Sequence, residues 1–394
     1  MSEDKIKVLL GDVEPTACVS EVYNDEVCRF ADDLSKWLRK DRNALSFPDL
    51  MAVSFWCRKG NIEKMRNEFD DGKIHIGRGL IFHITPSNVP VNFIFSYFFG
   101  LLSGNSNIVR VPSKEFPQVD ILCTAVKEIL ENDDYINIRK STRFVTYERD
   151  KEINDYYSGI CDGRVIWGGD NTIKALRESP IKPKAVEVVF ADRYSFGVIQ
   201  SERVVSASDE EITSLAHGFY NDTYLMDQNA CSTPHCIFWL GNQVREASEI
   251  FWGAVKKEEE KYSLEPIKSV DKYTDLCHIA MERDDIAEIN TYGNFLYVVG
   301  LKKIPSDMES IRGRYGMFFE VHIKSMDDLS MFITERSQTM IYYGVEKNEL
   351  NDFIKKNNLK GVDRIVPFGN ALDIGVIWDG YDIIRSLSRV IGIR

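Results

Sequence analysis

The chain has 394 residues, and its 49 lysines and arginines face 61 aspartates and glutamates, which gives a formal net charge of −12. Hydrophobic residues make up 44% and charged residues 28%, a composition that excludes a disordered, collagenous or low-complexity chain. The acidic balance argues against a broad nucleic-acid surface. The length favours two domains, each able to bury a core of its own.

The cysteines and histidines predict neither disulfides nor a metal site. The eight cysteines form no CxxC pair, and the six histidines show no HxxxH spacing. The first ten residues carry acids where a secretory signal would be basic. The longest apolar stretch, 91–102, is too short to span a membrane. We therefore expect a cytoplasmic protein without an integral membrane segment.

The hydrophobic pattern predicts a mostly helical region over 1–70, with helices at 22–38 and 47–56, and then an alternation of strands and helices. Strands are predicted at 80–84, 108–111, 143–147, 164–167, 186–190, 196–200, 236–240, 295–301, 317–323, 340–344 and 363–366. Helices are predicted at 91–102, 117–130, 150–160, 171–177, 209–226, 243–262, 327–336 and 347–357. This alternation is typical of parallel α/β sheets, with a domain boundary near 200–208.

Three residues are candidates for covalent chemistry. Cys231 follows a long helix in a polar turn, where a thiolate nucleophile is one interpretation and a buried, inert cysteine is the other, which spacing alone favours. Asn88, in a proline-bracketed turn after a strand, is either an oxyanion donor or an ordinary turn residue. Glu187, a lone acid in an apolar strand, is a general base or a solvated carboxylate.

Two strand ends are candidates for phosphate binding. Arg110, Ser113 and Lys114 cluster where a strand stops, so they hold a phosphate or form a solvated loop. Gly168-Gly169 ends another strand and opens a helix, which suits a pyrophosphate or simply a tight turn. No P-loop and no GxGxxG string occurs in the sequence.

Three strings stand out in the sequence: Ile-Thr-Pro-Ser-Asn-Val-Pro at 84–90, Asp-Gln-Asn-Ala-Cys-Ser-Thr-Pro at 227–234 and Trp-Asp-Gly-Tyr-Asp at 378–382. Together they resemble the aldehyde dehydrogenase superfamily, and within it the LuxC-like acyl-CoA reductase (fatty-acid reductase) family, over roughly residues 75–394. The resemblance implies that Cys231 is the nucleophile and that Asn88 helps to form the oxyanion hole. For both residues the resemblance thus favours the catalytic role over the structural one, an inert cysteine and an ordinary turn asparagine, which the bare residues favour.

The departures from the superfamily pattern concern the base and the cofactor. Its Glu-Leu-Gly-Gly string corresponds to 187–190, where Glu187 remains an acid/base candidate but both glycines are lost, which favours thioester reduction over aldehyde oxidation. At the position of the superfamily's ribose-binding Glu this chain has Lys114, beside Ser113 and assisted by the charge of Arg110. A cation at this position suits a ribose 2′-phosphate, so the resemblance implies NADPH.

The resemblance implies other cofactor contacts in three further segments. Thr85 and Pro86 lie in the Asn88 turn, and Gly168-Gly169 replaces a Gly-Ser turn. Tyr315, in a string that has lost its ribose-binding Glu, would flank the nicotinamide.

The resemblance implies an aldehyde-dehydrogenase-like α/β fold with a Rossmann-like cofactor domain and a second α/β catalytic domain. The cofactor domain would comprise 1–205 with a C-terminal return at 362–394, and the catalytic domain 206–361. The expected reaction is NADPH-dependent reduction of an acyl thioester, in the first instance a fatty acyl-CoA, to an aldehyde. Glu187, His217 and His235 are candidate proton carriers.

The expected partners are an acyl-CoA or another acyl thioester, a second copy of the chain in a homo-oligomer, and an acyltransferase or synthetase subunit. Three alternatives stay open: reduction of another activated acid, aldehyde oxidation by the same cysteine chemistry, and a non-catalytic subunit of this fold.

Overall fold

The computed structural model describes residues 5–11, 18–87 and 89–393. The chain forms two compact units: a first unit of Met1–Asp192 with Ile374–Arg394, and a second unit of Arg193–Asp373. The predicted limits differ at two strands of the second unit's sheet: the limit at 362 assigns 364–367 to the first domain, and the limit at 205 assigns to it the strand at 194–200. Only a short turn precedes that strand, and no change in composition marks it as a boundary.

The first unit contains seven strands and eight α-helices before residue 193 in its described part. The strands are β1 (Lys7–Leu10), β2 (Ile74–Gly77), β3 (Leu80–Ile84), β4 (Ser106–Arg110), β5 (Thr142–Thr146), β6 (Gly163–Trp167) and β7 (Val186–Phe190). The helices are α1 (Asp25–Lys40), α2 (Pro48–Trp56), α3 (Lys59–Phe69), α4 (Asn92–Leu102), α5 (Pro117–Leu130), α6 (Ile136–Lys140), α7 (Lys151–Ile160) and α8 (Asp170–Leu176).

The sheet of the first unit is a doubly wound one. Its order is β1-β5-β4-β3-β6-β7, and every pair is parallel except β1 with β5. The chain runs outward from β3 to β4 and β5, and then returns to β6 on the other side of β3. Ligands of such sheets bind at the carboxyl ends of the strands where the order reverses, which here is the edge beyond β3, β4 and β6.

Helix α4 forms the centre of the first unit's core. All eleven of its residues are buried, which confirms the buried helix predicted for this stretch. Its rings pack against α1 and α2: Phe98 stacks on Phe30 at 5.6 Å, and Trp56 meets Phe95 edge-on at 5.6 Å. Apolar burial on this scale fixes α4 beneath β3 and β4.

The second unit has a sheet of its own. Its strands are β8 (Tyr194–Gln200), β9 (Pro234–Leu240), β10 (Ile286–Tyr292), β11 (Leu296–Leu301), β12 (Met317–Ile323), β13 (Ser337–Tyr343) and β14 (Arg364–Pro367). Its helices are α9 (Ser201–Val205), α10 (Asp209–Thr223), α11 (Val244–Lys256), α12 (Pro266–Glu282) and α13 (Lys347–Asn357). The order is β10-β11-β12-β9-β8-β13-β14, with β10 antiparallel and the other strands parallel.

The C-terminal segment returns to the first unit. It forms β15 (Ile377–Trp378), β16 (Tyr381–Asp382), α14 (Ile383–Leu387) and β17 (Ser388–Ile391). Strand β17 pairs antiparallel with β2, and Ile383, Ile384 and Leu387 are buried in the same core as α4. The apolar side of α14 therefore joins the C-terminus to the N-terminal third of the chain.

One of the predicted helices is wrong. The helix predicted over 327–336 is a four-residue 3-10 turn, Met326–Leu329, followed by further turns. The backbone amides of Thr334 and Arg336 donate to the hydroxyls of Ser337 and Thr334, and such side-chain-to-backbone bonds compete with the helical backbone pattern. The N-terminal region is mostly helical in its described part, as predicted, and it also contains the edge strand β1.

Candidate functional site

The predicted cofactor residues of the first unit lie at one edge of its sheet. Thr85 and Pro86 follow β3, Ser113 and Lys114 come shortly after β4, and Gly168-Gly169 follows β6. Because β4, β3 and β6 are adjacent and parallel, their carboxyl ends meet at the point where the strand order reverses. This edge is where an α/β sheet of this type binds its ligand.

The polar groups of this edge are only partly available. The Thr85 hydroxyl donates to the Arg110 carbonyl at 2.6 Å, so it joins β3 to β4. The Arg110 guanidinium donates to the Tyr147 carbonyl at 3.1 Å and lies 4.6 Å from the Tyr147 ring centre. Thr85 and Arg110 thus have structural contacts of their own, whatever else they bind.

Ser113, Lys114 and Gly169 are solvent-exposed residues beyond the carboxyl ends of β4 and β6, and we call them the open edge. Lys114 lies 5.0 Å from the Phe116 ring centre, and within the described part of the chain no carboxylate forms an ion pair with it. A Cβ added to Gly169 would meet nothing within 4 Å, so the start of α8 has free space above it. A cation, a hydroxyl and unobstructed backbone form a donor set that fits a phosphorylated dinucleotide.

A buried network beneath this edge holds three strands together. His83 Nε2 faces Asn107 Oδ1 at 2.9 Å, and His83 Nδ1 faces the Ser96 hydroxyl at 2.8 Å. Since the Asn107 amide nitrogen donates to the Asn105 carbonyl, His83 Nε2 carries the proton and Ser96 donates to Nδ1. Trp167 Nε1 also donates to Ser96, at 3.0 Å. The network joins β3, β4, β6 and α4 with neutral groups only.

We expect His83 to make the protein sensitive to acid. Burial lowers the pKa of His83 from 6.5 to about 4, against the opposing effect of the hydrogen bond that His83 donates to Asn107. The unfolded chain therefore binds the extra proton first, and stability falls as the pH drops from 6.5 towards 4. At pH 5 the loss attributable to this group is about 2 kcal/mol. Urea unfolding at pH 7.5 and pH 5 measures it.

The matched variant for this prediction is His83→Gln, which cannot take up the proton. Comparing its pH dependence with that of the wild type cancels the contributions of other groups, such as Asp222, whose pKa burial raises to about 7. Equal loss of stability on acidification in both proteins would contradict the role of His83.

Glu187 lies on β7 between two arginines. Its carboxylate accepts from Arg164 Nε at 2.9 Å and from Arg177 Nε at 2.7 Å. Partial burial raises its pKa, but the hydrogen bonds from Arg177 and Arg164 outweigh it, and the pKa is lowered. A carboxylate stabilised in this way is a weak base and a poor acid at neutral pH. Its acid/base role stays a prediction, and this environment counts against it.

Cys231 lies in the second unit, in the loop that connects α10 to β9. It is exposed, whereas Cys236, five residues further on, is completely buried and burial raises its pKa well above the ordinary value. Cys57 and Cys161 are also buried. Of the three cysteines in the second unit, Cys231 is exposed, Cys277 on α12 is partly buried and Cys236 is buried. A nucleophile must be accessible, and Cys231 meets this requirement.

The backbone of the Cys231 loop is fixed from β8. The hydroxyl of Ser195, itself fully buried, donates to the Cys231 carbonyl at 2.7 Å and accepts from the Thr339 amide at 3.1 Å. The register of β8 with β9 shifts between Ser195 and Phe196, and such irregularities are frequent near active sites. Thr233 adds a second anchor, because its hydroxyl donates to the Asp222 carbonyl at 3.0 Å.

The same loop is joined to the turn that carries Tyr315. Gln228 Oε1 accepts from the amides of Gly316 at 2.6 Å and Met317 at 3.2 Å, and its Nε2 donates to the Met317 carbonyl at 3.1 Å. Sequence reasoning missed Gln228, Ser195 and the buried Lys272 because each acts on residues far away along the chain. Gln228 lies within the recognised 227–234 string, which was the one available signal.

The remaining predicted residues have the following places. Asn88 lies outside the described residues. His235 is buried, with its Nδ1 3.1 Å from the Gly313 carbonyl, and His217 pairs with Glu258 at 3.0 Å. Among the described residues no group of His, Cys, Asp and Glu side chains is arranged to hold a metal ion. In the same residues no helix is both long and apolar enough to cross a membrane.

The fold is that of the aldehyde dehydrogenases. Aldehyde dehydrogenase 21 from Physcomitrella patens, solved with the product succinate, matches with a TM-score of 0.65 and 12% identity, covering 93% of this chain and 85% of that one. A 3,6-anhydro-L-galactose dehydrogenase solved with NAP matches with a TM-score of 0.57 and 14% identity, covering 86% and 78%. The predicted α/β fold class is confirmed.

Within that fold the chain belongs to the family described as acyl-CoA reductase (LuxC), whose profile matches residues 63–390. The long-chain acyl-protein thioester reductase of Aliivibrio fischeri is 20% identical in an alignment of 388 residues that covers 90% of this chain and 76% of the relative. The family resemblance predicted from the sequence is therefore confirmed, and the protein is an enzyme, an aldehyde-forming acyl reductase.

Proposed function

We propose that the protein reduces an acyl thioester to an aldehyde with NADPH, through an acyl group carried by Cys231. The observation that supports this most is the Cys231 loop: an exposed thiol on a backbone anchored by buried hydrogen bonds of Ser195 and Thr233. Rigid support beneath an accessible nucleophile is what covalent catalysis needs. The family and the A. fischeri relative support the thioester as the substrate class.

In the proposed reaction the Cys231 thiolate attacks the thioester carbonyl. A new C–S bond forms, the bond to the carrier sulfur breaks, and the carrier leaves as a thiolate that takes up one proton. Asn88 donates a hydrogen bond to the oxyanion. The nicotinamide, when bound, supplies a hydride to the acyl carbon. The resulting thiohemiacetal oxyanion on Cys231 then collapses: its C–S bond breaks, and an aldehyde and the Cys231 thiolate are released.

We propose that the open edge of the first unit holds the dinucleotide. Lys114 and Ser113 would contact the ribose 2′-phosphate, Gly168-Gly169 would admit the pyrophosphate, and Thr85 and Pro86 would line the turn. NAP, present in the related dehydrogenase, is a nicotinamide dinucleotide and supports this cofactor class. Arg110 assists through its charge, and Tyr315 would flank the nicotinamide.

Lys114→Glu is expected to reverse the cofactor preference. Removing the cation and adding a carboxylate should raise the KM for NADPH about tenfold or more and lower the KM for NADH, because a carboxylate repels the 2′-phosphate and accepts from a 2′-hydroxyl. Steady-state kinetics with both cofactors measures the change. Lys127→Ala, an exposed lysine on α5, is the control. An unchanged ratio of the two KM values would exclude Lys114 from the cofactor site.

The acyl carrier and the assembly belong to the same proposal. The family description favours CoA, and the A. fischeri relative favours a protein-bound acyl group. We propose a cytoplasmic homo-oligomer that receives its acyl group from an acyltransferase or synthetase partner.

NADPH absorbance with purified protein tests the proposal. Separate reactions supply acyl-CoAs of increasing chain length, an acyl carrier protein thioester, an acyl phosphate, and an aldehyde with NADP+, and NADH is the control cofactor for the reductive reactions. Loss of NADPH that depends on the thioester, with aldehyde formed in equal amount, supports the reductase. Activity only with acyl phosphates would contradict the thioester substrate and favour reduction of another activated acid. Activity only from aldehyde with NADP+ would favour aldehyde oxidation. Inactivity in every arm would favour the non-catalytic subunit.

A further inference from the structure

The Cys231 loop and the 313–317 turn share one buried side chain. Gln228 is 4% exposed, and the described hydrogen bonds of its side chain all go to the backbone of Gly316 and Met317. It lies three residues before Cys231, and Gly316 directly follows Tyr315. Its amide therefore fixes the distance between the loop of the nucleophile and the turn of the tyrosine.

Backbone conformation shows that both segments depend on such contacts. Gln228 has a φ of 62° and Tyr315 a φ of 57°, in the left-handed region that non-glycine residues avoid. Conformations of this kind persist only where the surroundings hold them. The Gln228 side chain provides part of that support, because it accepts from the amide that directly follows Tyr315.

A second buried group holds the turn from the opposite side. Lys272 on α12 is fully buried, and its ammonium donates to the carbonyls of Tyr315 at 2.7 Å and Phe295 at 3.1 Å, as well as to Asn294. Three carbonyl acceptors match the three donors of an ammonium group. The turn is thus held between Lys272 and Gln228, and only Gln228 belongs to the nucleophile's loop.

We propose that Gln228 is a positioning residue for hydride transfer. It holds the Tyr315 turn in register with the acyl group on Cys231, so it governs the hydride step and not the attack of the thiolate. This inference rests on the proposed function. Misplacement of a reacting group by about 1 Å costs up to roughly a hundredfold in rate, so loss of the Gln228 contacts should act on the hydride step alone.

Two variants separate the steps. Gln228→Met keeps the length of the side chain and removes all three hydrogen bonds. Gln228→Glu keeps the acceptor for Gly316 and Met317 but places an oxygen against the Met317 carbonyl, unless the new carboxyl is protonated and donates. Acylation of Cys231 is followed by mass spectrometry without cofactor, and hydride transfer by single-turnover NADPH absorbance.

We expect Gln228→Met to slow hydride transfer at least tenfold while acylation stays within threefold of the wild type. Gln228→Glu should recover towards the wild-type hydride rate as the pH is lowered, compared with the wild type at each pH. Ser248→Ala, which removes a hydrogen bond to the buried Glu320 in the same unit, should leave both steps unchanged.

Equal slowing of both steps, an unchanged hydride step, or no recovery of Gln228→Glu at low pH would overturn the role of Gln228. If Gln228→Met does not fold, Gln228→Glu and its pH profile decide alone. A wild-type enzyme that forms no acyl adduct would remove the proposed function and this inference together, which is distinguishable from failure of the Gln228 variants alone.

Discussion

Cys231→Ala is expected to lose thioester reduction by at least about a thousandfold, because the covalent route has no other nucleophile. The expectation depends on the placement of the thiol. Cys231 is exposed, and its backbone carbonyl accepts a hydrogen bond from the buried Ser195 hydroxyl. The nearby Cys236 is buried in the core and inaccessible. The rate of NADPH oxidation with a saturating thioester measures the loss.

The matched control for Cys231→Ala is Cys277→Ala, a partly buried cysteine on α12 of the same unit. It should retain wild-type activity. Reductase activity in Cys231→Ala close to that of Cys277→Ala would overturn the assignment of the nucleophile.

Asn88→Ala is expected to lower kcat about a hundredfold to a thousandfold, the effect of losing one oxyanion donor, or about 3–4 kcal/mol of transition-state stabilisation. The prediction rests on the 84–90 string, since Asn88 lies outside the described residues. The preceding residues Thr85 and Pro86 come from the end of β3, where the strand order reverses. Steady-state kinetics with a saturating thioester measures kcat.

Ser87→Ala, in the same turn and exposed, is the control for Asn88→Ala and should keep kcat unchanged. Alkylation of Cys231 by iodoacetamide should proceed at the wild-type rate in both variants, because no oxyanion forms in that reaction. A rise in KM with unchanged kcat in Asn88→Ala would mean that Asn88 binds the substrate and does not stabilise the transition state.

Local patterns predicted much of the fold. The helix at 117–130 and the strand at 186–190 have the predicted ends, because proline at the start of the helix and a run of β-branched residues in the strand are strong local signals. The edge strand β10 was missed, since five of its seven residues are exposed and show no buried face. The 327–336 stretch has apolar residues at helical spacing, but it does not form the predicted helix. The backbone amides of Thr334 and Arg336 donate to side-chain hydroxyls and not to helical carbonyls.

The candidate site was predictable only as far as its motifs reach. The strings around Asn88 and Cys231 led to the family, which the comparison with known proteins confirms. The long-range contacts of the site were not predictable, because Ser195, which binds the Cys231 carbonyl, lies 36 residues away from it and Gln228 contacts a turn 88 residues further on. The environment of Glu187 likewise depends on Arg164 and Arg177, which come together with it only in the folded sheet.

The central claim is that Cys231 carries the acyl group that is reduced. Mass spectrometry of the protein mixed with a fatty acyl thioester, first without NADPH and then with it, tests this most directly. We predict an added mass of one acyl group on the peptide containing Cys231, which disappears when NADPH is added as an equal amount of aldehyde forms. Aldehyde formation without any such adduct, or an adduct that NADPH leaves in place, would contradict the account.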